Sequence, residues 1–339
     1  MDSSPLTLKS IAKIVGCSDT TVSRVLSGKS KQYRISAKTT AEVLRLAQEL
    51  NFVPNPLAAS LRTRRTMTVG LVLPDIANPF FAQIAPFVQR ESRKAGYTVL
   101  LANTEENSEL EIDSVEMLRK RNIDGLIIAP TGQSPEHLLS LYRAGLPMVL
   151  IDRYFPECDI PFVVSDNEQG AFEAVTFLVE NRHRYIACIQ GLPHTTLSRE
   201  RVNGYRRALN HAGINMNEDW IVGDSNSEEN GYLEMRLLLK DARRPTAILA
   251  LSNLIALGAL RAIGEERLQV PDDISVIAFD DLPYFNFFAT PLTTVAQQAQ
   301  EIGRVAMKLL YRQMTQTGAE IQSVKLPIRL VKRDSVRML

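Results

Sequence analysis

Apolar residues recur at helical spacing through the first fifty positions of the chain. Leu8, Ile11, Ala12 and Val15 share one face, and Thr7 stands where a cap for their helix belongs. Gly16 supplies a residue that can leave the helix with positive φ. Ser18 is placed to cap a second helix, about Asp19–Leu26, whose inner face is Val22 with Val25 or Leu26. Gly28 follows it, and residues 29–34 read as a polar loop. Ser36 caps a third helix running through Leu50, with Val43, Ala47 and Leu50 on one side. Two short helices joined at a glycine turn and closed by a third make a helix-turn-helix layout. The second helix presents Asp19, Thr20, Ser23 and Arg24 together, all able to reach a groove from a helix's N-terminal half.

The pattern then changes twice. Asn51, Pro54, Asn55 and Pro56 stop the third helix, and Leu57–Leu61 predicts one or two further helical turns, marginal when alone. Beyond about Met67, short apolar runs alternate with amphipathic stretches. The runs are Val69–Leu73, Thr98–Ala102, Gly125–Ala129, Met148–Ile151, Phe162–Val164, Ile186–Ile189, Ala247–Leu251 and Ile274–Ala278. Such alternation predicts βαβ units and parallel sheets, and runs apolar throughout predict strands buried on both faces. Roughly 270 residues exceed what one such sheet needs, so two similar lobes are expected. The predicted fold is an all-α helix-turn-helix head (1–52), a linker with a hinge helix (53–67) and an α/β body (68–339) of two Rossmann-like lobes. The N-lobe is expected over about 68–165 and 293–326, and the C-lobe over about 166–290 and 327–339.

Charge sharpens this division. The chain of 339 residues has a formal net charge of +1. Residues 1–66 hold eleven Lys and Arg against Asp2, Asp19, Glu42 and Glu49, while the remainder is acidic. A basic head on an acidic body points to a polyanion met by the head alone. Cys17, Cys158 and Cys188 are widely spaced, without a CxxC, and imply neither a disulfide framework nor a zinc site. With no signal-peptide pattern and no long apolar window, the expected location is the cytoplasm, at the nucleoid.

GCSDTTVSRVLSG at 16–28 resembles the recognition region of the lactose-repressor (LacI/GalR) family. The resemblance continues through NFVPNPLAASLRTRRT at 51–66, VGLVLPDIANPFF at 69–81, IDR at 151–153, SDNEQGA at 165–171 and SRERVNGY at 198–205. It ends with AFDDLP at 278–283, TPLTTVAQ at 290–297 and LPIRLVKRDS at 326–335, so that it spans the whole chain in order. It implies a homodimeric regulator, with a tetramer left open, whose body is like that of periplasmic sugar-binding proteins. A small effector between the lobes would then control affinity for a near-palindromic double-stranded DNA operator.

The resemblance implies DNA contacts from Thr7, Ser18, Asp19, Thr20, Thr21, Ser23, Arg24, Asn55, Ala58 and Leu61. Arg24 suits a bidentate bond to guanine or, alternatively, a phosphate. Asp19 departs from the family and either accepts from cytosine N4 or caps its helix. Leu61 matches a minor-groove wedge and Ala58 a close-approach residue. For the effector, loops at the carboxyl ends of strands bring forward Asn78, Phe80, Asp152, Arg201, Ser252, Asn253 and Asp280. Each also reads as an ion pair or cap holding the cleft. Polar groups of this kind suit a sugar or sugar derivative better than a purine-like ring. Many relatives carry a stacking aromatic near position 226, where this chain has Asn226. Trp220 reads as strand core.

No P-loop, GxGxxG, GxSxG or HExxH is present, and His137, His183, His194 and His211 are scattered. Neither catalysis nor a cofactor or metal is therefore expected. The expected function is a regulator, most simply a repressor of sugar-utilisation genes. A cleft that binds a partner protein or a non-sugar ligand is the alternative, and a solute-binding protein a remote one.

Overall fold

A computed structural model describes residues 7–52, 65–316 and 322–339. They fall into two compact units divided between Thr66 and Met67.

The head contains α1 (Leu8–Val15), α2 (Asp19–Leu26) and α3 (Ala37–Glu49). Each helix begins where a hydroxyl can satisfy an orphan backbone N–H. The Thr7 hydroxyl accepts from the Ser10 amide at 3.2 Å, and the Ser10 hydroxyl accepts in return from the Thr7 amide at 3.3 Å. Ser18 and Ser36 do the same for Thr21 and Thr39, each at 3.1 Å. Gly16 ends α1 at φ 72°, the left-handed conformation expected of it. Ile11, Val22 and Val43, one from each helix, are fully buried and meet Ala12, Val25 and Ala47 in a small core.

The body holds two six-stranded sheets of matching topology. The first is built from β1 (Thr68–Leu73), β2 (Thr98–Asn103), β3 (Gly125–Ile128), β4 (Met148–Ile151), β5 (Phe162–Ser165) and β11 (Val324–Leu326). Its order is β11-β5-β4-β3-β1-β2, all parallel. The second contains β6 (Ile186–Ile189), β7 (Ile221–Val222), β8 (Ala247–Ala250), β9 (Ser275–Phe279), β10 (Thr293–Ala296) and β12 (Arg329–Val331). Its order is β12-β10-β9-β8-β6-β7, parallel except where β12 runs against β10. The central strands β3, β4, β6, β8 and β9 are buried at every position, which is why they read as unbroken apolar runs. Strand β2 departs from that expectation. It is an edge strand, and its Leu101 is 50% exposed.

Helices α4 (Pro79–Lys94) and α11 (Ala299–Thr315) pack together on the first sheet, with α5 (Ser108–Lys120) and α6 (Glu136–Arg143) among its connections. The second sheet carries α7 (Asn167–Glu180) beside α8 (Thr196–His211), and α9 (Glu228–Lys240) beside α10 (Asn253–Glu265). The chain therefore passes between lobes after β5, after β10 and between β11 and β12. The second passage corrects the expected boundary: residues 293–296 form β10 and belong to the second sheet, and the return begins after Ala296. The burial of Thr293 and Thr294 in this strand is made possible by Ser335 and Arg333, which bond them.

Helix α9 approaches α10 through glycines. A Cβ at Gly258 would lie 1.9 Å from the Glu228 carbonyl oxygen, and one at Gly231 would lie 2.1 Å from that of Ile255. Backbone cannot yield as a side chain can, so Gly258→Ala must push the helices apart. Overpacking of this kind costs about 1–3 kcal/mol. The expected outcome is a thermal midpoint lower by roughly 2–4 °C per kcal/mol, read by circular dichroism on the full chain. An unchanged midpoint would show that the pair can slide freely.

Candidate functional site

The polar positions of the head divide by what they already do. Thr7 and Ser18 spend their hydroxyls on caps, and Thr21 shares a 2.8 Å bond with Ser18. Asp19 is not the capping residue of α2. Its Oδ1 accepts from the Thr20 amide at 2.9 Å, and both residues are exposed. Ser23 is half-buried on the same helix. The Arg24 guanidinium lies 3.9 Å from the Tyr33 ring centroid. Asn55, Ala58 and Leu61, with the hinge helix expected at 57–61, lie outside the described residues.

In the body, the carboxyl ends of both sheets supply one cavity of about 30 Å³, room for a water or two. Asn78, Phe80, Phe81, Glu106, Asp152, Arg153, Leu197, Arg201, Asn226, Ser252, Asp280 and Gln297 line it. Six of the residues read from the sequence meet here: Asn78, Phe80, Asp152, Arg201, Ser252 and Asp280. Asn253 stands behind them. Its amide donates to Asp280 Oδ2 at 3.2 Å and its Nδ2 donates to Asn78 Oδ1 at 2.9 Å.

Local structure explains the convergence. Asn78 and Ser252 cap α4 and α10 through the amides of Phe80 and Ile255, which turns both loops toward the cleft. Asp152 and Asp280 each follow a central strand directly, at φ 63° and 72°. Aspartate tolerates this left-handed backbone better than bulkier residues do. The Asp152 amide donates to the Val163 carbonyl and the Asp280 amide to that of Val295, so each turn is pinned to the neighbouring strand.

The charges are buried and interlocked. Arg201, 2% exposed, donates through Nε to Asn167 Oδ1 at 2.8 Å and through Nη1 to the Leu251 carbonyl, while its Cζ lies 3.9 Å from the Phe279 ring centroid. Burial lowers its pKa, against the opposing pull of Asp280 and Asp152. Arg153 forks onto Glu106 with two 2.6 Å bonds. Burial works against its charge, yet Glu106 holds the guanidinium above its ordinary range. Asp152 lies 3.6 Å from Arg153. Burial pushes its carboxyl up to about 6, although Arg153 and Arg201 pull the other way.

Arg153, Glu106, Asn226 and Gln297 were not among the sequence candidates. Gln297 directly follows β10, so recognition of that strand would have found it; its Nε2 donates to Asp280 Oδ1 at 2.7 Å. Asn226 fits against Gly191, where a Cβ would lie 1.8 Å from its Oδ1. Four buried polar atoms of the lining have no hydrogen-bond partner in the protein: Arg153 Nε, Arg201 Nη2, Asn226 Nδ2 and Gln297 Oε1. Trp220 belongs to the second lobe's core and donates to Asp241, away from the cleft. Outside the cavity, Glu200 Oε1 of α8 accepts from Tyr154 Oη and Lys325 Nζ, both at 2.8 Å, and so ties the second lobe to the first. Among the described residues no group of His, Cys, Asp and Glu is arranged to hold a metal, and no helix is long and apolar enough to cross a membrane.

Residues 66–334 match the profile of periplasmic binding proteins and the sugar binding domain of the LacI family. Residues 7–55 match bacterial regulatory proteins of the lacI family. The HTH-type transcriptional repressor PurR of Histophilus somni (strain 2336) is 34% identical over 336 residues, which cover 98% of this chain and 99% of that relative. The crystal structure of the Lac repressor dimer bound to operator and the anti-inducer ONPF is similar with a TM-score of 0.86 at 27% identity, over 98% of this chain and 100% of the other. The transcriptional regulator CelR in complex with cellobiose gives a TM-score of 0.74 at 31% identity, again over 98% and 100%. These proteins are regulators and not enzymes. With both of its units matched and the full-length likeness covering nearly every residue, the chain belongs to the LacI family of DNA-binding transcriptional repressors.

Proposed function

We propose that this repressor is a homodimer that reads a near-palindromic operator and answers to a sugar or sugar derivative held between its lobes. One observation carries the effector reading: Arg153 Nε, Arg201 Nη2, Asn226 Nδ2 and Gln297 Oε1 are buried, without hydrogen-bond partners and gathered at one cavity. A buried polar group left without a partner costs about 1–3 kcal/mol. Four such groups in one place mark where a polar molecule would be welcome. They combine donors with an acceptor, and Asp152 and Asp280 add carboxylates. A sugar hydroxyl both donates and accepts, so a polyol can satisfy this mixture. That the similar regulator CelR forms a complex with cellobiose supports the same reading.

The cavity is far below the roughly 300 Å³ or more of an ordinary ligand site. Entry of a sugar therefore requires the lobes to part, which breaks ties such as Asn253–Asn78 and Glu200–Tyr154. Any ligand that prefers one lobe arrangement shifts the population toward it. The residues at 53–67 connect the body to the head in sequence, and through them, with Leu61 as the proposed wedge, the shift would reach DNA. Phe80 and Phe81, the two rings among the polar lining, favour a second reading, a planar heterocycle such as a nucleobase.

At the head, base reading falls to Arg24, with Thr20 and Asp19 beside it. Arg24→Ala should relax preference at a guanine position in a randomised duplex library, at about 1–3 kcal/mol. A loss equal on all sequences would reduce Arg24 to a phosphate contact. For the body, a thermal-shift screen with sugars, sugar acids and nucleobases should find a stabilising sugar, and Asp280→Asn or Arg201→Lys should abolish its effect. A nucleobase hit with no sugar hit would decide for the heterocycle.

Asp152 predicts a pH dependence. Its folded-state pKa is raised above the unfolded value, so the folded chain holds the proton more tightly. Stability contributed by this group is then present at low pH and lost as pH rises through about 6. Asp152→Asn removes that loss. Relative to the unsubstituted chain, the variant's thermal midpoint should therefore rise between pH 5 and pH 7.5. A difference constant with pH would place the proton elsewhere.

A further inference from the structure

The loop between α2 and α3 is bonded to itself and to the helix before it. Gly28 leaves α2 at φ 70°, and the Lys29 amide donates to the Arg24 carbonyl at 2.9 Å. The amides of Tyr33, Arg34 and Ile35 donate to the carbonyls of Lys29, Lys31 and Ser30 at 3.2, 3.2 and 2.9 Å. Ile35 then packs on the head's core. Tyr33 does not. The residue is 43% exposed and stands outside that cluster, so burial of the loop does not account for an aromatic residue here. What the ring does touch is Arg24, whose Cζ lies 3.9 Å from its centroid.

We infer that Tyr33 is a specificity-determining positioning residue, a platform that holds the Arg24 guanidinium ready for a guanine edge. The inference rests on the assignment of Arg24 to base reading. A stacked guanidinium uses its face and leaves its N–H groups in the plane, where they can fork onto guanine O6 and N7. Among the described residues no acceptor bonds to those N–H groups. A flexible arginine loses side-chain freedom when it binds, and a guanidinium already held on a ring loses less. The loop's hydrogen bonds fix the ring, and the ring restrains the arginine.

The test uses the full chain and a duplex selected from a randomised library. Affinity for that duplex, and for duplexes changed at single positions, is measured for Tyr33→Ala, Tyr33→Phe, Arg24→Ala and the Tyr33→Ala/Arg24→Ala pair. An exposed cation–π contact corresponds to about a two- to fivefold effect. Tyr33→Ala should therefore weaken the selected duplex by that factor and relax the same base that Arg24→Ala relaxes. Tyr33→Phe keeps the ring and should bind as the unsubstituted chain does. In the Arg24→Ala background, Tyr33→Ala should add nothing. The inference is overturned by a Tyr33→Ala loss equal on all duplexes, by one that persists without Arg24, or by an equal loss in Tyr33→Phe. If Arg24→Ala relaxes no base, base reading itself fails, and Tyr33 has no specificity to set even where the two residues couple. Unaltered circular dichroism of Tyr33→Ala separates each of these results from a damaged head.

Discussion

Arg201 places a guanidinium between two lobes, out of water, and the cleft is arranged around that charge. An isolated buried charge would be prohibitive, so the residue is hydrogen-bonded, stacked and flanked by carboxylates. Its partners come from separate parts of the chain: Asn167 opens α7, Leu251 ends the run that forms β8, Phe279 closes β9, and Asp152 and Asp280 follow β4 and β9. Opposing charges are held close without a complete set of hydrogen bonds. That incompleteness, left in place at Arg201 Nη2, separates this cleft from a finished core.

The matching sheets make the convergence possible. In each, the residue after a central strand is an aspartate in left-handed backbone, bonded through its amide to the next strand. Two copies of the same turn thus face one another across the cleft. The chain crosses three times at that level, and crossing residues such as Gln297 become lining residues by position. Asn253–Asn78 and Glu200 with Tyr154 and Lys325 add side-chain ties between the lobes to these three chain links. Charge and lobe contacts therefore meet in a few side chains.

The head works at a different scale. Its core is six small or medium apolar residues, and its helix starts depend on hydroxyl caps. Such a module has little apolar area to spare, and polar residues such as Asp19 and Thr20 stay exposed on its second helix. Tyr33 stands outside that core and lies against Arg24 instead.

Much of this was legible from the residues alone. The caps, the glycine exits, the three-helix core and the central strands follow local rules, because a buried strand must be apolar and a helix start must satisfy its amides. Six of the seven cleft candidates line the cavity, five of them for a similar reason, since Asn78, Phe80, Asp152, Ser252 and Asp280 follow a strand or open a helix; Arg201 lies one turn inside α8, beyond the helix start that the sequence suggests. The strands β7, β10, β11 and β12 were not legible. They are short, at or near sheet edges, and in β10 two buried threonines depend on Arg333 and Ser335 some forty residues away. Missing β10 misplaced a lobe boundary and hid Gln297. Arg153, Asn226 and the Tyr33 platform were hidden because each is defined by a partner distant in sequence or by a ring's orientation, which no spacing encodes. The sequence by itself determined the elements and the charge of the head. Only the tertiary structure decided which polar atoms are left buried without partners, because that depends on what every neighbouring segment fails to supply.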